Sequence, residues 1–185
     1  MFQWLFGERR KERQAIVDTL YERIVASARQ PHFYEEWLVP DTPLGRFEML
    51  SVHFFLLLHR LREKEGALRD IAQEMTDHFF LDLDHSLREF GIGDMGVPKR
   101  MKKFAKMFYG RLASYTEAVD AGDTPALAEA LRRNIRPDAE TWAEAEPLAR
   151  YVIAASVALD DIPDEELLAG KLRFISLEQE NTHDQ

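Results

Sequence analysis

His78, Asp82 and His85 are the first residues of this chain whose types and spacing could do chemistry. At i, i+4 and i+7 they share one helix face, and imidazole nitrogens beside a carboxylate suit zinc or non-haem iron. His53 and His59, on the preceding helical stretch, could approach that face. The set lacks the Glu-x-x-His pair of a di-iron bundle. Bundles also place polar residues at this spacing on solvated faces. A helical metal-dependent enzyme using His78, Asp82 and His85 is thus the runner-up reading. His53 or His59 could instead act as axial haem ligands. The chain has no cysteine, which removes covalent haem attachment, disulfides, thiolate zinc sites and thiol nucleophiles. Ser51, Ser86, Ser114 and Ser156 all lie inside helical patterns, not in a Gly-x-Ser-x-Gly elbow. The run Gly91-Ile92-Gly93-Asp94-Met95-Gly96 joins helix to helix, so it is not the strand-to-helix phosphate loop of a dinucleotide fold. No catalytic residue, metal or cofactor is expected from the leading reading.

A second pattern concerns charge. Lys99, Lys102, Lys103 and Lys106 line one outer face of a helix, with Arg100 and Arg111 at its flank. No acid interrupts residues 97–116, although the whole chain carries a formal net charge of −9. Such a run is either a solvated face or a docking surface for an acidic protein, anionic lipid or RNA. The overall acidity argues against DNA binding.

The elements that must position these residues are helical. At 185 residues and 45% hydrophobic content the chain can build one domain with a real core. Residues 9–29 repeat Ile16, Leu20, Ile24 and Ala28 at helical spacing until Pro31. Residues 32–43 read as an aromatic loop holding Phe33, Tyr34 and Trp37, with Asp41 or Thr42 as the cap of the next helix. Residues 44–64 form a helix apolar on more than one side, which belongs inside a bundle, with Gly66 as its C′ residue. Residues 67–90 set Leu68, Ala72, Met75, Phe79 and Leu83 on a core face. After the glycine hinge, Pro98 opens a helix running to about residue 121 with Phe104, Phe108 and Tyr115 inward. Thr124-Pro125 restarts the chain as cap and first turn of a short helix to residue 134. A pattern over 139–160 must be kinked or divided by Pro147. Asp164 caps a last short helix that Gly170 stops.

The expected fold is all-α, a single-domain bundle of about six to eight helices. Residues 1–11 read as an N-terminal amphipathic extension, 12–176 as the helical domain and 177–185 as a disordered tail. Phe2, Trp4, Leu5 and Phe6 beside Arg9, Arg10 and Lys11 could rest on an anionic membrane. The apolar part precedes the basic part, so this is not expected to be a signal peptide. The most apolar run, 52–58, is far short of the roughly 20 residues a spanning helix needs.

Several ordered motifs carry a resemblance. Asp41-Thr42-Pro43 leads to Arg46-Phe47-Glu48-Met49 and His53. Asp82-Leu83-Asp84 leads to Leu87-Arg88-Glu89 and Gly91-Ile92-Gly93-Asp94. Val97-Pro98-Lys99-Arg100-Met101-Lys102-Lys103 comes next, then Phe108-Tyr109-Gly110-Arg111 and Tyr115. Over about residues 12–175 this resembles the ubiquinol–cytochrome c chaperone family, which supports assembly of the cytochrome bc1 complex. The short chain looks like a bacterial member. The resemblance implies an all-helical, non-enzymatic assembly chaperone whose client is newly made cytochrome b. It implies a cytoplasmic location, with peripheral contact to the cytoplasmic face of the inner membrane. Ribosome contact and a small partner protein belong to the mitochondrial relatives, and no residue pattern here points to either. A chaperone needs a binding surface more than a catalytic constellation. Lys99, Arg100, Lys102, Lys103, Lys106, Arg111 and Asp94 are therefore the expected client contacts. Asp82, Asp84, Arg88 and Glu89 are expected to form a polar network bracing the hinge.

Overall fold

The computed structural model describes residues 2–89 and 96–177, with side chains from residue 11 onward apart from Leu87 and Glu89. Among the described residues there are eight α-helices and no strand. They are α1 (Phe2–Ala28), α2 (Pro31–Glu35), α3 (Pro43–Leu61), α4 (Ala67–Glu89), α5 (Val97–Asp120), α6 (Thr124–Ile135), α7 (Ala145–Asp160) and α8 (Asp164–Leu168).

Helix α3 is the axis of the bundle. Met49, Val52, Phe54, Phe55, Leu56 and Leu57 are all buried, so apolar residues occupy several sides of it. A helix of that kind is stable only when surrounded, and α1, α4, α5, α6 and α7 all pack on α3. Phe54 stacks on Phe79 of α4 at 4.8 Å between ring centroids and on Phe108 of α5 at 5.7 Å. On the opposite flank His53 meets Tyr151 of α7, and Phe33 of α2 packs edge-on against both rings. Arg60 closes the C-terminal end. Its Nε donates to the Leu159 carbonyl at 3.0 Å, and its Nη2 donates to the Ile162 carbonyl at 2.8 Å and to Asp164 Oδ1 at 2.7 Å.

Local chemistry sets the helix boundaries, and several differ from the sequence expectation. Thr42 rather than Asp41 caps α3, its Oγ1 accepting from the Gly45 amide at 3.1 Å, while Asp41 pairs with Arg46 at 2.6 Å. Pro31 both ends α1 and begins α2, because a missing amide proton costs nothing in a first turn. Residues 31–35 are thus helical where a loop was expected. Gly66 does not close α3, which ends at Leu61; its carbonyl accepts from the Asp70 amide, so it opens α4. Asp123 caps α6 through the Ala126 amide at 2.9 Å, and Thr124 is already inside the helix. Pro147 falls in the first turn of α7, where it neither kinks nor divides anything. Asp164 makes no capping bond and instead holds Arg60 and Lys64. Helix α1 begins at Phe2, so the extension and the first expected helix are one continuous element. Leu177 is buried against the core, so the packed region reaches one residue beyond 176.

No helix among the described residues is long and apolar enough to cross a membrane.

Candidate partner-binding surface

The first turns of α5 set out the cationic face. Lys99, Lys102, Lys103 and Lys106 recur at helical spacing, opposite the buried Phe108, and all four are exposed. Arg100 is exposed on the side turned toward α1 and α3. None of these five cations is paired with an acid among the described residues. Tyr109, one turn beyond Lys106, is 55% exposed and leans on Phe80 of α4.

Arg111 does not belong to this face. Its Nη2 donates to Glu48 Oε1 at 2.5 Å, with the two side chains 7% and 1% exposed. The expectation that grouped it with the outward cations is corrected by position: at 111 the helix has turned inward, between Phe108 and Tyr115. Burial pushes the Glu48 carboxyl up to about 7 against the opposing pull of the Arg111 guanidinium.

Beside the cationic face lies a cleft of about 700 Å³ between α1, the start of α3, the C-terminal half of α4 and the start of α5. Its walls are largely apolar: Val25, Phe47, Leu50, Phe79 and Phe104 contribute, with Phe47 and Phe104 edge to face at 5.2 Å. Its polar rim holds Arg29, Asp41, Arg46, Asp82 and Arg100. Both carboxylates there are engaged, Asp41 by Arg46 and Asp82 by the Tyr21 hydroxyl at 2.9 Å. Burial first, and then the Asp82 charge, push the Tyr21 hydroxyl well above its ordinary value, so it stays a donor.

The acidic arm is divided between two tasks. Asp82 ties α4 to α1 through Tyr21, whereas Asp84 accepts from Arg88 Nε at 2.7 Å within α4. The Glu89 side chain and Asp94 lie outside the described residues, as do the side chains of Phe2, Trp4, Leu5 and Phe6.

The histidine readings are resolved by partners. His78 faces Asp18 at 3.6 Å and lies against the Tyr21 ring, Asp82 is held by Tyr21, and His85 is exposed. Among the described residues no group of three or more His, Asp or Glu is placed to hold a metal ion. Nδ1 of His53 lies 2.8 Å from the Met49 carbonyl, to which it donates, and Nε2 accepts from the Tyr151 hydroxyl at 2.9 Å. Neither nitrogen is left for a haem iron. His59 Nε2 lies 2.9 Å from Asp120 and beside Arg62.

Sequence reasoning found the cationic face and missed the cleft. Phe47, Leu50 and Phe104 carry the same spacing whether a core face is covered or left open, so no periodicity separates the two. Glu48 and Arg111 did leave a signal: an acid within an apolar helical stretch and a cation at an inward register, 63 residues apart.

Together these features define an all-helical domain with an open apolar cleft beside a cationic helix face. The chain belongs to the ubiquinol–cytochrome c chaperone family, whose sequence profile matches residues 35–174. The family is one of assembly chaperones rather than enzymes. The chain is similar to ubiquinol-cytochrome-c reductase complex assembly factor 1 of Xenopus laevis, 24% identical over 80% of this chain and 74% of the relative. It is also similar to the mitochondrial protein CBP3 of Saccharomyces cerevisiae, 27% identical over 84% of this chain and 48% of that protein. The chain thus spans about half the length of the yeast relative. In three dimensions it superposes on the crystal structure of the Cbp3 homolog from Brucella abortus with a TM-score of 0.90, at 55% identity, covering 97% of this chain and 99% of the other.

Proposed function

We propose that this protein is a non-enzymatic assembly chaperone for the ubiquinol–cytochrome c reductase complex and that its client is newly made cytochrome b. The family match over residues 35–174 carries this reading, supported by relatives named as assembly factors for that complex. The surface proposed for the client is the exposed set Lys99, Arg100, Lys102, Lys103 and Lys106, with Asp94 of the hinge. Five cations without an acidic partner among the described residues, in a chain of net charge −9, favour an acidic partner surface. Phe2, Trp4, Leu5 and Phe6 are proposed to keep the protein on the cytoplasmic face of the inner membrane, close to where that client is inserted.

The test is a chromosomal Lys99→Glu, Lys102→Glu, Lys103→Glu variant. Expected is a clear drop in membrane cytochrome b, read from reduced-minus-oxidised spectra, with an unchanged melting temperature of the purified variant. Normal cytochrome b in that strain would remove the surface assignment. Normal cytochrome b in a deletion strain would remove the chaperone reading itself.

A further inference from the structure

The cleft between α1, α3, α4 and α5 has features that a protein-docking face does not require. About 700 Å³ sits within the range of roughly 300–1,000 Å³ usual for small-ligand sites. An α-helix is about 10–12 Å across and rises about 1.5 Å per residue, so the same space takes only about five residues of one. The walls are apolar side chains of four helices, with Val25, Phe47, Leu50 and Phe104 each half-buried and presenting hydrocarbon to the opening. An extended peptide would leave its backbone amides unmatched there.

The rim supplies the second half of the argument. Its two carboxylates are already held, Asp41 by Arg46 and Asp82 by Tyr21. Its two other guanidiniums, Arg29 and Arg100, are exposed and make no ion pair among the described residues. Tyr21 donates to Asp82 without cancelling its charge, so three guanidiniums face two carboxylates at the mouth and leave a net charge of +1 in an acidic protein. Guanidinium recognises a planar carboxylate with paired hydrogen bonds.

We infer that this cleft binds a long-chain fatty acid, the acyl chain against Phe47, Leu50 and Phe104 and the carboxylate at the Arg29 and Arg100 mouth. The inference goes beyond the chaperone reading and does not rest on it. A chaperone of a membrane subunit that also carries an acyl chain would respond to the lipid state of the membrane it serves.

The test uses the full purified chain, stripped of lipid on hydrophobic resin and titrated calorimetrically with oleate. Expected is saturable one-to-one binding, with oleyl alcohol weaker by about tenfold or more. The double variant Arg29→Glu, Arg100→Glu weakens oleate by about tenfold or more at unchanged melting temperature, because both side chains are exposed and make no ion pair among the described residues. Val25→Trp, which fills the cleft, abolishes binding. Absence of saturable oleate binding overturns the inference, as does equal binding of the alcohol or indifference to the charge reversal. Binding of an acidic amphipathic peptide in place of oleate reassigns the cleft and overturns it as well. No client enters this experiment, so its failure leaves the chaperone reading standing.

Discussion

Arg111 of α5 reaches Glu48 of α3 at 2.5 Å, with both side chains buried in the core. The pair is incompletely matched, since Glu48 Oε2 and Arg111 Nε and Nη1 are buried with no hydrogen-bond partner among the described residues. Removing one member leaves the other as an uncompensated buried charge. Arg111→Ala is expected to cost about 3–5 kcal/mol, whereas replacing both together, by Glu48→Leu and Arg111→Met, returns most of it. Urea unfolding monitored by circular dichroism separates the two outcomes. A single variant costing under about 1 kcal/mol would contradict the structural role.

Protonation of His53 should weaken the fold. Burial pushes its imidazole from 6.5 down to about 4, partly offset by the bond to the Met49 carbonyl. A histidine whose folded value is depressed stabilises the protein above its unfolded value, and that contribution is lost as pH falls from 6.5 through 4. The loss is about 3 kcal/mol once pH is below 4. Glu48, raised from 4.5 to about 7 by burial, has the opposite slope, its contribution being lost as pH rises through that range. The measurement is therefore a difference. Between pH 6.5 and 4 the wild type should lose more stability than His53→Gln, and parallel curves would show that His53 does not titrate against the fold.

Gly45 has a role that no other residue can fill. A Cβ built there would stand 1.9 Å from the Pro40 carbonyl oxygen, in the backbone that brings the chain into α3. Gly45→Ala is expected to cost on the order of 3 kcal/mol. In a chain of this size that lowers the melting temperature by roughly 6–12 °C in a calorimetric scan. A shift under 2 °C, roughly half a kcal/mol, would mean that the α2–α3 connection yields easily.

Arg60 should govern the C-terminal segment. It is 7% exposed and binds two backbone carbonyls and Asp164. Arg60→Ala is expected to cost about 2–4 kcal/mol, from lost charge-assisted bonds and carbonyls left unmet. Arg60→Lys keeps the charge but not the fork, so it should recover only part. Limited proteolysis should then cut after residue 160 sooner in both variants, and equal cutting rates would contradict the assignment.

The sequence announced the helices because their apolar spacing is strong and Pro and Gly punctuate it. Where two neighbouring residues could each cap, as with Asp41 and Thr42, the choice was decided by what else the side chain could reach. Asp41 has Arg46 within range and Thr42 does not, so the hydroxyl capped. Asp164 had two cations waiting on α3 and the turn after it. The cationic face was legible because four lysines at helical spacing leave little else for that side of α5. Arg111 was misplaced because its buried partner lies on another helix, and charge runs say nothing about distant acids. The cleft was illegible for the same reason: it is a property of how four helices diverge.

The bonds that close α3 also fix when the protein can become itself. His53 meets Tyr151 and Arg60 meets Leu159, partners on α7 separated by 98 and 99 positions. A ribosome adding about 5–20 residues per second makes α3 several seconds before α7. During that interval the apolar flank of the central helix has no native cover. The chain that belongs to a family of chaperones thus begins its own life as an unfinished, adhesive nascent segment, with completion deferred to its last third.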